Sequence, residues 1–191
     1  VPDPALTSPI GLARLAVGLL SGSAGALAST SAISVTGGTL LLSGSAADRL
    51  NNAAPVSLGT GSHSAAGLAV SGNVTESVGA LSLLSNGVID MGAGAALLTF
   101  ANIGTWTGSL HVWNWTGTLA ASGGTDRLLF SAGTLSSAQL ANVQFYSDSG
   151  ATPIGSGAAF IGSELVPVPE PGAALTALLL SAAAFRHQRR R

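Results

Sequence analysis

The chain has 191 residues, enough for one domain or a short repeat array, and its composition is unusual: 47% of the residues are apolar, only 8% are charged, and none is cysteine. Low charge with high apolar content is the opposite of a disordered chain, and the missing cysteines exclude disulfides and thiolate metal sites. Residues 1–170 hold three arginines against all eight acids, a net charge of −5, so this body lacks the basic patch that nucleic acid binding needs.

Residues 1–30 form an ambiguous first segment. Leu12, Leu15, Ala16 and Leu19 have helical spacing, but glycines interrupt them every few residues. The segment predicts a short helix or an irregular N-terminal cap, or the remainder of a truncated upstream region.

From about residue 31 the apolar residues alternate with small or polar ones, which is typical of short half-buried strands. The alternating pairs are Ile33 and Val35, Leu40 and Leu42, Val56 and Leu58, Leu68 and Val70, Leu81 and Leu83, and Leu110 and Val112. A loose unit, in which Gly opens a strand and Leu follows two residues later, recurs at Gly38, Gly79, Gly108, Gly117 and Gly133. Residues 31–163 therefore predict an all-β domain, either a short right-handed parallel β-solenoid or, as the alternative, a β-sandwich.

Three short segments complete the predicted body. Ser136 and Gln139 are spaced as a capping box and predict one or two helical turns. The residues from Val143 to Tyr146 then read as a strand. Residues 164–171 predict a Pro-rich linker, because proline disfavours both a helix and a β-ladder.

The end of the chain has three parts in order: the Pro-Glu-Pro of residues 169–171, a charge-free apolar run over residues 172–185, and a basic end. The apolar run predicts a C-terminal hydrophobic helix that enters a membrane and keeps its arginines on the cytoplasmic side. Its 14 residues would extend about 21 Å, short of the ~30 Å hydrocarbon core. The alternative is an amphipathic or buried helix whose basic end complements the helix dipole.

This tail, over about residues 166–191, resembles the PEP-CTERM sorting signal of bacterial exported proteins. The resemblance implies that an exosortase, an integral membrane processing enzyme, recognises Pro169, Glu170 and Pro171, releases the hydrophobic tail and passes the protein outward. It also implies that residues 172–185 contact the membrane. The membrane-retention charges are then Arg186, Arg189, Arg190 and Arg191.

Residues 31–148 also resemble the autotransporter-associated β-strand repeat region. The letters that carry this resemblance are those of residues 37–44, 79–83, 88–90, 113–117 and 124–128. The resemblance implies a β-solenoid passenger and no particular chemistry.

Catalytic and metal sites find no support in the sequence. There is no Gly-x-Ser-x-Gly and no cysteine, so two common nucleophile signatures are missing. The histidines His63, His111 and His187 lack a histidine partner at metal-pair spacing. We therefore expect no enzyme, no cofactor and no metal.

The acids Asp90, Asp126 and Asp148 lie beside turn residues, where an Asp side chain commonly accepts hydrogen bonds from nearby backbone amides. A calcium site or a polysaccharide lyase or hydrolase would need these acids to converge.

The strand at Leu110 to Trp115 offers one candidate binding surface. If Leu110 and Val112 point inward, His111, Trp113 and Trp115 share the outer face, with Trp106 near in sequence. Such indoles could stack on sugar rings of an extracellular polysaccharide, or pack beneath residues 134–148 as part of the core.

These observations together favour an exported, non-enzymatic bacterial surface or extracellular-matrix protein with a structural or adhesive role. It would be anchored transiently in the inner membrane and then reach the cell surface or matrix. The alternative is a carbohydrate-binding surface module that uses Trp106, Trp113 and Trp115.

Overall fold

The computed structural model describes residues 12–15, 18–21, 27–44, 47–59 and 66–170. The predicted hydrophobic helix of residues 172–185 lies outside the described residues, as do Pro171, the four terminal arginines, His63 and His187. No helix within the described ranges has both the length and the apolarity to cross a bilayer.

The described part of the chain consists almost entirely of strands. In chain order they are β1 (Leu12–Leu15), β2 (Gly18–Ser21), β3 (Ala32–Val35), β4 (Gly38–Ser43), β5 (Val56–Leu58), β6 (Ala66–Ser71), β7 (Val74–Leu83), β8 (Gly87–Asp90), β9 (Ala96–Trp106), β10 (Leu110–Trp113), β11 (Arg127–Phe130), helix α1 (Ser137–Ala141), β12 (Val143–Tyr146), β13 (Pro153–Ile154), β14 (Ala158–Ile161) and β15 (Glu164–Pro167). The prediction of an all-β body is confirmed.

From β1 to β12, successive strands alternate between two sheets. One sheet has eight strands in the order β1-β3-β5-β7-β9-β11-β15-β14, and the other has seven in the order β13-β12-β10-β8-β6-β4-β2. From β3 to β12 each strand pairs in parallel with the strand two places earlier in the chain, which is its neighbour in the sheet. The strands β13, β14 and β15 pair antiparallel and complete the C-terminal end.

The core lies between the two sheets and is built from the alternating pairs that the sequence predicts. Each of the twelve residues in those six pairs is at most 1% exposed. Toward the C-terminal end aromatic residues join them, and Phe100 stacks on Phe130 with ring centroids 5.4 Å apart. Period-two patterning therefore located one face of each of these strands correctly.

The Gly-x-Leu unit holds for some of its five predicted positions and is wrong for others. Gly38 opens β4 at φ 69°, a left-handed conformation that glycine adopts without a steric penalty. Gly117 instead forms an isolated bridge with Gly124, and Leu119, in the turn between them, is 46% exposed. The unit at Gly133 leads into α1 rather than a strand.

Helix α1 and strand β12 confirm the predictions for their segment. The Ser136 side chain accepts a hydrogen bond from the Gln139 amide at 3.3 Å, and the Gln139 side chain accepts one from the Ser136 amide at 2.9 Å. This reciprocal capping box satisfies two amides that a helix start leaves without intrahelical partners.

Two segment predictions are wrong. Residues 12–15 and 18–21 are strands rather than a short helix or an irregular cap, because the edges of the sheets offer them parallel partners in β3 and β4. Residues 164–167 are not linker but strand β15, inserted between β11 and β14. Pro167 is tolerated there because it ends the strand, and its carbonyl still accepts a hydrogen bond from the Ala120 amide at 3.1 Å.

Candidate functional site

The outer face of the seven-stranded sheet carries two rows of side chains in register. The parallel pairing aligns one residue of each strand across the sheet, and β10 alternates buried and half-buried residues, so His111 and Trp113 point outward. One row contains Thr39, Gly67, Val88, His111 and Gln144. The next contains Leu41, Ala69, Asp90 and Trp113.

A shallow trough of about 60 Å³ crosses these rows. Its lining residues are Thr39, Gly67, Leu68, Val88, Asp90 and Trp113. Gly67 leaves the floor open, because a Cβ at this position would lie 3.2 Å from the Val88 carbonyl oxygen and 3.5 Å from Thr39 Oγ1. The trough thus exists where a small residue stands between the taller side chains of Thr39 on β4 and Val88 on β8.

Asp90 supplies a carboxylate to the trough. Its Oδ1 accepts hydrogen bonds from the Gly92 amide at 2.9 Å and from Asn114 Nδ2 at 2.6 Å. In the described part of the chain both bonds to this carboxylate end on Oδ1, which leaves Oδ2 as an acceptor. The side chain is therefore oriented by two donors and still able to accept a further one.

Trp113, on β10, forms one wall of the trough. Its side chain is half-buried, and Gly150 packs against it so closely that a Cβ there would lie 2.9 Å from the indole Nε1. Within the described ranges this buried Nε1 has no hydrogen-bond partner. The close contact of Gly150 fixes one edge of the indole.

His111 and Tyr146 extend the aromatic surface beside Trp113. Their rings stack with centroids 5.6 Å apart and an interplanar angle of 12°. Burial lowers the pKa of His111 from its ordinary value of about 6.5, so the imidazole is neutral at pH 7. The stacked pair adds flat surface without positive charge.

The other two tryptophans do not join this face. Trp115 is 3% exposed and meets Phe145 edge-on at 4.9 Å between ring centroids, so its predicted place on the outer face is wrong. The cause is Asn114, whose φ of 54° breaks the strand alternation after Trp113. Trp106 packs on the core and donates from Nε1 to the Leu81 carbonyl at 3.0 Å.

The predicted turn role of the acids is correct in part. Asp90 accepts from Gly92, and Asp148 Oδ1 accepts from the Gly150, Ala151 and Thr152 amides at 3.2, 2.7 and 2.9 Å. Asp126 is instead fully buried. No group of three or more His or acidic side chains in the described ranges could hold a metal ion.

Asp126 connects two distant parts of the chain. Its Oδ1 accepts from the Ala96 amide at 3.1 Å, and its Oδ2 accepts from the Thr116 amide at 2.8 Å and from the Thr116 hydroxyl at 2.6 Å. The carboxylate thereby replaces ladder hydrogen bonds at a corner where the backbone turns between the sheets.

The buried acids Glu76 and Glu164 act in the same way, and sequence reasoning missed both. Glu76 accepts from the Arg49 and Leu50 amides, each at 3.0 Å, and Glu164 Oε2 accepts from the Gly123 amide and from Arg127 Nε, each at 3.0 Å. Each acid is 1% exposed. The sequence signal for such acids is that charged residues are few in this chain, and three of its acids lie in the interior.

The described part of the chain ends within the predicted sorting motif. Val168 is the last described residue with backbone hydrogen bonds to the body, donating to the Gly157 carbonyl at 3.2 Å and accepting from the Ser156 amide at 2.9 Å. Pro169 is half-buried and Glu170 is exposed.

Comparison with known proteins gives no relative from which to transfer a function. No family model matches the chain, and neither a curated protein nor a solved structure is similar to it.

Proposed function

We propose that this chain is an exported bacterial surface or extracellular-matrix protein with a structural or adhesive, non-enzymatic role, sorted by a PEP-CTERM-like signal at its C-terminal end. The observation that carries the proposal is the ordered triple of Pro-Glu-Pro, apolar run and arginines over residues 169–191. Each part has a physical role in a membrane signal: recognition, entry into lipid and retention on the cytoplasmic side.

The position of the motif relative to the body supports this role. Among the described residues, Val168 is the last with backbone hydrogen bonds to the body, and Glu170 is exposed two residues later. An exosortase at the membrane could therefore reach Glu170, the central residue of the motif, without unfolding β15.

The body suits a surface protein that works as a spacer or scaffold. We interpret it as a short right-handed parallel β-solenoid, because strands alternate between two sheets and successive turns of chain stack: Leu68 pairs with Ile89, 21 residues on, and Val112 with Phe145, 33 residues on. Connections between parallel strands are right-handed in nearly all proteins. A stack of this kind can act as a spacer between its two ends, and that role needs no catalytic centre.

The test is the mass of the mature C-terminus in a bacterium that carries an exosortase. We expect the surface-exposed protein to lack the residues after the motif. Changing Pro169, Glu170 and Pro171 to alanine should leave the full tail in place and retain the protein in the inner membrane.

Two further variants separate recognition from anchoring. Asp48→Asn removes an exposed negative charge far from the motif and should be processed as the wild type is. Replacing the four terminal arginines with glutamine should reduce retention at the membrane before cleavage. Surface-exposed wild-type protein that is intact through Arg191 would contradict exosortase processing.

A further inference from the structure

We propose that the trough on the seven-stranded sheet binds a neutral hexose polymer, with one pyranose ring stacked on Trp113 and a sugar hydroxyl donating to Asp90 Oδ2. This inference does not depend on the sorting signal, because all of its residues lie in the folded body.

The chemistry of the trough matches one face of a sugar ring. The C–H groups of a pyranose make an apolar face that packs on an indole, while its hydroxyls point outward at the ring edge and need acceptors. Trp113 supplies the flat wall, and Asp90 supplies a carboxylate that Gly92 and Asn114 already hold in place through Oδ1. Because the acceptor is oriented before the ligand arrives, little side-chain entropy is lost on binding.

The shape of the trough sets how the ring sits. Gly67 keeps the floor between Thr39 and Val88 open. A volume of about 60 Å³ admits one face or edge of a ring rather than an enclosed ligand. The site is therefore a surface site for part of a chain, of the kind that gains affinity from several neighbouring contacts.

The surface beyond Trp113 favours a polymer over a free monosaccharide. The neighbouring strand β12 lies about 4.8 Å from β10, and its Tyr146 stacks on His111 next to Trp113. A polysaccharide that lies across the strands would meet the indole first and this stacked pair next.

The charge distribution favours a neutral polymer. Residues 1–170 have three arginines: Arg14 lies on β1 in the other sheet, Arg49 is 3% exposed, and Arg127 pairs with Glu164 at 3.0 Å. In the part of the chain that the structure describes, an acidic polysaccharide would therefore meet the Asp90 carboxylate without a compensating arginine, and His111 is neutral at pH 7 because burial lowers its pKa.

The test measures binding of the full chain to polysaccharides, in a detergent whose head group is not a sugar. The probes are soluble β-1,3-glucan, β-1,4-glucan, mannan and galactan, with alginate as the acidic comparison. Titration calorimetry and tryptophan fluorescence report binding, and we expect at least one neutral polymer to bind and alginate not to bind.

Three variants then locate the site. Asp90→Asn keeps Oδ1 as an acceptor but removes the charge, and should weaken binding about tenfold. Trp113→Ala should weaken it by at least about tenfold and abolish the fluorescence change. Gly67→Ala fills the floor of the trough, and its contact at 3.2 Å requires only a small shift, so it should lower affinity in a folded protein.

The controls distinguish loss of the site from loss of the fold. Asp48→Asn removes the same charge at an exposed position outside the trough and should bind as the wild type does. Each variant is checked by circular dichroism and thermal melting. The proposal is overturned if no neutral polymer binds, if alginate binds in preference, or if folded Asp90→Asn and Gly67→Ala both retain wild-type affinity.

Discussion

Replacing Asp126 with alanine should strongly destabilise the body, because this fully buried carboxylate accepts three hydrogen bonds. The Ala96 amide would lose its acceptor at a residue that is 1% exposed, and a buried donor without a partner costs about 1–3 kcal/mol. Thr116 is exposed, so water can replace part of what its amide and hydroxyl lose. The free energy of unfolding should therefore fall by about 3 kcal/mol in total.

Chemical and thermal unfolding both measure this change. A loss of 3 kcal/mol should lower the melting temperature by about 6–12 °C in a protein of this size. Asp126→Asn keeps an acceptor for Ala96 but presents its NH₂ group to the Thr116 amide, so its loss should be intermediate, about 1–2 kcal/mol. Asp48→Asn, the matched change at an exposed residue, should stay within about 0.5 kcal/mol of the wild type. If Asp126→Ala loses less than about 1 kcal/mol, the carboxylate does not hold the corner as argued.

Three other predictions concern the interior and the turns. Burial raises the pKa of Glu76 above its ordinary value of about 4.5, so the folded protein keeps this proton after the unfolded chain has released it. The free energy of unfolding should therefore fall as pH rises from about 4.5 through the raised pKa. Glu76→Gln should remove that part of the pH dependence in urea titrations, and an unchanged slope would count against this explanation. Gly92 and Gly162 have nearly the same φ, 60° and 62°, but of these two positions a Cβ would overlap a carbonyl oxygen of β6 at Gly92 alone. Gly162→Ala should therefore lower the free energy of unfolding by about 1 kcal/mol and Gly92→Ala by considerably more. Equal melting temperatures of the two variants would refute the steric explanation. Trp115→Ala should cost about 3–5 kcal/mol in guanidinium unfolding because the indole fills the core, and Trp113→Ala, on the outer face, should cost clearly less.

Each strand that sequence reasoning located has an apolar pair on its inward face. Strand β8 has no such pair, because Gly87 occupies one of its inward positions. A Cβ on Gly87 would lie 2.9 Å from Leu83 and 3.2 Å from Leu58. The leucines of adjacent turns fill that space, so the position must be small and the period-two signal is lost.

Strand β15 was missed for a different reason. All four residues of Glu164–Pro167 are buried, so the strand shows no alternation, and it contains an acid and a proline that usually indicate exposed loop. The partners that make the acid acceptable in the interior, the Gly123 amide and Arg127, come from 41 and 37 residues earlier in the chain. A local pattern carries no information about such partners.

For the trough, too, local sequence patterns predict the orientation of side chains on one strand but not which residues of other strands lie beside them. The outward positions of His111 and Trp113 follow from strand periodicity. That Asp90 stands beside Trp113, and that Gly67 lies beside Val88 on the next strand, depends on the register of β6, β8 and β10, which short motifs do not encode. The inward position of Trp115 depends on one backbone conformation at Asn114, which the alternation rule does not anticipate.

The place of β15 within its sheet determines how the body responds to mechanical load. The strand lies between β11 and β14 rather than at an edge, and it leads directly into the C-terminal segment. Tension applied through that segment must therefore extract a strand bonded on both sides, together with the Glu164 contacts to Arg127 and Gly123. An edge strand in the same position would peel away one bond at a time, so a tether attached here is fixed to a part of the sheet that resists pulling.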